Sequence, residues 1–143
     1  MYSSAALPDR RAAHLALAEV TDRDRDPDRR AWHLAAAAAG PDEAVAAELE
    51  RSAGRARARG GLAAAAAFLQ RAVALTAEPG PRAGRALAAA SASLQEGAFD
   101  AALDLVAMAE AGPLDDLQRA QVSLLRGQVA FAASAGSEAR RCC

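Results

Sequence analysis

A chain of 143 residues can hold one modest domain, or three to four helical hairpins around a continuous core, but not two independent domains. Forty-four residues are Ala and 3% are aromatic, while Ile, Asn and Lys are absent and all 17 basic residues are Arg; such usage points to a GC-rich genome, favours helix nearly everywhere and leaves little from which to build a sheet. A formal charge of -1 with no basic block argues against autonomous DNA or RNA binding. Neither an apolar leader core in 1–13 nor any run long enough for a bilayer is present, so the expected location is the reducing cytoplasm.

Pro8 and Asp9 open a first helix, with Leu7, His14, Leu15, Leu17 and Val20 as its larger side chains, and the charged stretch from Thr21 to Asp26 is a polar linker. Asp26 before Pro27 is an N-cap with proline in the first turn, predicting a second helix through Trp32 and Leu34 to Ala39. Gly40-Pro41 stops it, and Pro41-Asp42-Glu43 opens a third that runs through Val45 and Leu49 towards Gly60. Leu62 to Leu75 is the fourth. Glu78-Pro79-Gly80-Pro81 reads as a break before a fifth helix from Arg82 to Glu96, Ala98 to Ala111 is the sixth, and Leu114 to about Ser134 the last. The expected fold is all-α: about seven helices in antiparallel hairpins, stacked as a solenoid.

Two glycine-punctuated segments share one register. Ala53, Gly60, Ala65, Leu69 and Ala72 recur as Ala90, Gly97, Ala102, Val106 and Ala109, a period of 37 residues, and a third copy is expected to start at Gly127 and turn at Gly136. This order of small and larger apolar residues resembles the tetratricopeptide repeat, without the aromatic residues that family places in its first helix. The string from Arg29 to Ala35 (Arg-Arg-Ala-Trp-His-Leu-Ala), preceded by Arg10 to His14 and followed by Ala47 to Ala53, resembles the middle of the large ATP-binding LuxR-type regulators of actinobacteria. There a signalling ATPase module passes into a tetratricopeptide-like arm. The resemblance covers roughly residues 8 to 139. It implies an N-terminal helical pair over 1–40, ending the upstream module, and repeats over 41–143, the last incomplete. No glycine-rich phosphate loop ending in Lys-Ser or Lys-Thr occurs, so the resemblance implies the arm alone, without nucleotide hydrolysis or promoter binding.

Chemistry-bearing clusters are sparse. His14, His33, Cys142 and Cys143 fit no zinc spacing, and Asp22, Asp24 and Asp26 imitate a calcium loop that fails at Pro27, where Gly is needed, and at His33, where Glu is needed. Arg51, Arg55, Arg57 and Arg59 cluster near the end of the third helix, where positive charge suits the helix dipole or offers an anion contact. Trp32 is either a plug between helices or a partner anchor. Cys142-Cys143 after Arg140-Arg141 resembles a prenylated tail, but a truncated or frameshifted end is the expected explanation. No nucleophile or acid/base set can be assembled, so no enzyme, metal or cofactor is expected.

The expected activity is holding a protein partner, or other domains of the parent regulator, with Trp32, Arg55, Arg57 and Arg59 as candidate contacts. The alternative is a free-standing small helical bundle with a structural or ligand-binding role. Between them stands the last helix: lacking a following partner, Val122 to Phe131 would expose apolar surface and promote self-association.

Overall fold

Alanine and short capping signals carry the local structure. The computed structural model describes residues 7–142, and these form seven helices and no strand: α1 (Leu7–Val20), α2 (Pro27–Ala37), α3 (Glu43–Ala58), α4 (Leu62–Ala74), α5 (Pro79–Glu96), α6 (Phe99–Glu110) and α7 (Asp116–Arg141). Asp26 and Asp42 cap α2 and α3 by accepting from the backbone N–H of Arg29 (3.3 Å) and Val45 (3.2 Å). Asp115 and Gln118 form a reciprocal capping box that starts α7, two residues after the start expected at Leu114.

Two ends depart further from expectation. The Pro79-Gly80-Pro81 stretch is the first turn of α5 and no break: N–H groups there have no partner within the helix, so the two prolines remove nothing the helix uses. At the other end α7 runs to Arg141, straight through Gly127 and Gly136, and neither glycine takes a positive φ. The third turn is therefore not made. A glycine costs a helix interior only about 1 kcal/mol, and no proline follows to terminate it.

By compactness the chain divides between Ala77 and Glu78 into two units. The boundary expected after Gly40 falls inside the first unit, because α2 packs on α3 across it.

In the first unit α1 packs on α2, α2 on α3, and α3 on α4. Ala31 and Ala35 of α2, Val45, Ala46 and Leu49 of α3, and Ala72 with Leu75 at the end of α4 form one core, flanked by Leu34, Ala38 and Phe68. Alanine at the contacts lets helix axes approach towards the short end of the usual 8–10 Å. In the second unit α5 pairs with α6 and α7 packs on both, burying Ala86, Leu87 and Ala90 with Val106, Ala109, Val122, Leu125 and Val129.

The 37-residue period is structural. Gly60 (φ 78°) and Gly97 (φ 87°) both adopt the left-handed conformation that ends a helix. Around them the same bonds recur: Gly61 N to Ala56 O and Ala98 N to Ser93 O, both 2.8 Å, then Gly60 N to Arg57 O (2.9 Å) and Gly97 N to Leu94 O (3.0 Å). This is the Schellman arrangement, built twice with the same offsets. The four other repeated positions are buried in both copies, in α3–α4 and in α5–α6.

Candidate functional site

Two of the four candidate residues meet at one edge of the first unit. Arg55 and Arg59 lie one turn apart on α3 and both reach Asp28 in the first turn of α2. Arg55 donates to Asp28 Oδ1 through Nε (2.9 Å) and Nη2 (2.8 Å), and Arg59 Nη2 donates to Oδ2 (3.1 Å). Arg55 Nη2 also donates to the buried Ser52 hydroxyl at 3.1 Å. Burial by itself would raise the Asp28 carboxyl; the hydrogen bonds from Arg55, Arg59 and Ser52 and the Arg55 charge outweigh it and hold the group below the usual carboxylate range. The cluster is thus an internal clamp of α2 on α3. Arg57 is exposed on the other side of the turn and also engaged by a neighbour.

Asp28 escapes a reading by sequence because it lies 27 residues before Arg55 and carries no motif. A signal exists nonetheless: two arginines at i and i+4 on one helix face share whatever anion comes between them. Trp32, one turn beyond Asp28, is 46% exposed and meets Phe68 of α4 edge to face, with ring centroids 5.7 Å apart. One side of the ring system plugs the α2–α4 contact and the other faces solvent.

A second feature lies on α7. Val122, Leu125 and Val129 are buried, whereas Leu117, Leu124 and Phe131 are 78%, 61% and 78% exposed. These three recur every seven residues, so they form one stripe that drifts only about 20° per two turns. Ala120, Gln121, Gly127 and Gln128 flank it, all uncharged. The arginines of this stretch are drawn off elsewhere: Arg119 pairs with Asp116 at 2.9 Å, and Arg126 with Glu110 of α6. Stripes of this type are covered in helical assemblies, and a soluble surface seldom leaves them bare. Apolar exposure is what the sequence predicts for this helix, yet its location differs. Val122 and Val129 face inward, and Leu117, outside the segment singled out, is among the most exposed.

The remaining clusters resolve into structure. His14 of α1 and His33 of α2 meet with Nδ1 atoms 3.0 Å apart and ring centroids 5.3 Å apart, so one ring donates its N–H to the other. Asp22 Oδ1 accepts from the N–H groups of Asp24 (2.8 Å) and Arg25 (3.0 Å), and Asp26 is the α2 cap, so the aspartates of the linker hold a turn. Among the described residues no group of three or more His, Cys, Asp or Glu is placed to hold a metal ion, and no helix is long and apolar enough to cross a membrane. Cys142 is exposed, and Cys143 lies outside the described residues. Comparisons with protein-family models, with curated proteins and with solved structures find no match.

Proposed function

We propose that the chain is a non-catalytic helical-repeat module that binds protein, working as the arm of a LuxR-type transcriptional regulator with a signalling ATPase. The observation that carries the interaction part is the α7 stripe: three large apolar side chains in line over four turns, flanked by uncharged residues, on a helix whose opposite face is already packed. Covering them removes apolar surface from water at about 25 cal/mol per Å². What supports the repeat part is the doubled Schellman turn at Gly60 and Gly97, which makes α3–α4 and α5–α6 copies of one hairpin. The parentage rests on the resemblance over roughly residues 8 to 139, carried by the strings between Arg10 and Ala53. The occupant of the stripe is then a helix from a partner, from another domain of the regulator, or from a second copy.

Sedimentation velocity of the purified chain tests the interaction part. The wild type associates as its concentration is raised, and the variant L117Q/L124Q/F131Q, whose buried side of α7 is untouched, stays monomeric. A wild type that remains strictly monomeric at high concentration, with a sharp cooperative melt, removes a second copy as the occupant.

A further inference from the structure

A cleft of about 380 Å³ opens on the first unit, between α2, α3 and the linker before α2. Its size falls within the range of small-ligand pockets. Arg23 of the linker, Arg30 of α2 and Arg51 of α3 line it, over an apolar floor that includes Leu34 and Val45. Glu48 supplies the one carboxylate. Its Oε1 is 2.9 Å from Arg51 Nη2 and 3.9 Å from Arg23 Nη2, so a single oxygen already draws two guanidiniums from different elements towards one point. Arg30 is half-buried, and no ion pair among the described residues engages it.

We propose that this cleft binds a phosphomonoester carrying an apolar body. Three guanidiniums against one carboxylate leave two positive charges in excess, and a phosphomonoester above its second ionisation carries two negative ones. Planar forks arriving from three elements can each take a different oxygen of a tetrahedral group, whereas a carboxylate offers two oxygens in one plane. Leu34 and Val45 then receive the apolar body. Glu48 stands where the anion goes: it preorganises Arg23 and Arg51 in the free protein and competes with the ligand for them. None of these groups belongs to the Asp28 clamp or to α7, so the site is independent of the interaction surface.

Isothermal titration with phenyl phosphate, at about pH 7.5 and low salt, provides the test. Expected is saturable one-to-one binding with a Kd of about 1 mM or tighter, and weaker binding of inorganic phosphate, which lacks the apolar body. R30Q weakens phenyl phosphate about tenfold or more, and E48Q tightens it several-fold, each with an unchanged helical spectrum. Should R30Q fail to fold, R51Q takes its place. The proposal is overturned by the absence of saturable binding, by affinity that survives the loss of Arg30 or Arg51, or by weaker binding in E48Q, which would make that carboxylate a support of the site and not its competitor.

Discussion

Replacing Asp28 with Asn keeps the shape of the side chain and removes the charge that Arg55 and Arg59 share. Asp28 is 21% exposed at its side chain and accepts two bonds from Arg55, itself 38% exposed, and one from the more open Arg59 at 61%. A charge-assisted bond of the Arg55 kind is worth about 1.5–3 kcal/mol when well buried, and solvent screening at 38% exposure argues for the lower end. The Arg59 contact adds well under 1 kcal/mol. D28N should therefore destabilise the first unit by about 1–2 kcal/mol at neutral pH. The sign of the pH effect follows from the lowered pKa of Asp28. Over the window between its folded and unfolded values the unfolded chain binds more protons, so the clamp's contribution is complete above the unfolded value of about 3.9 and is lost as pH falls through the folded one. Trp32, the sole tryptophan and one turn from Asp28, reports unfolding of this unit by its fluorescence in a urea titration. The reasoning is refuted if D28N matches the wild type at pH 7, or if its deficit does not shrink as acid titrates the Asp28 carboxylate.

Glycines alike in sequence should respond oppositely to substitution. Gly97→Ala forces a side chain into a left-handed backbone and should cost about 1–2 kcal/mol, whereas Gly127→Ala sits in mid-helix with nothing within 4 Å of its new Cβ and should stabilise by about 0.5–1 kcal/mol, both read from thermal melts. Leu49 is fully buried at the centre of the first core, so Leu49→Ala should cost about 2–5 kcal/mol in the same urea titration, and a loss below 1 would mean that α2, α3 and α4 do not close around it. A Pro81→Ala chain should keep α5 starting at Pro79, with far-ultraviolet circular dichroism unchanged; a clear gain in helix would show that the first turn is not formed in the native protein.

Much of the fold is legible before any coordinates. Ala-rich segments bounded by Asp26-Pro27, Asp42 and Gly97 name their own helices, because caps and breakers act within a few residues of themselves. The register shared by Ala53–Ala72 and Ala90–Ala109 identifies the repeated hairpin, since its glycine turns the chain and its other positions are buried in both copies. Where only local rules applied, Pro79 and Gly136 misled: a proline is tolerated or disruptive according to which turn holds it, and a glycine ends a helix only when the chain departs there.

What the sequence determined by itself is the helical character and the two hairpin turns, both set by contacts within one element or one turn. Tertiary structure decided which groups meet. It turned Arg55 and Arg59 inward on Asp28, set His14 against His33, gathered Arg23, Arg30 and Arg51 around one cleft and chose which side of α7 stays bare. In an alanine-rich helix nearly every face is apolar enough to pack. Only the approach of a neighbouring helix selects one, so the heptad spacing of Leu117, Leu124 and Phe131 marks a face without saying whether it is covered.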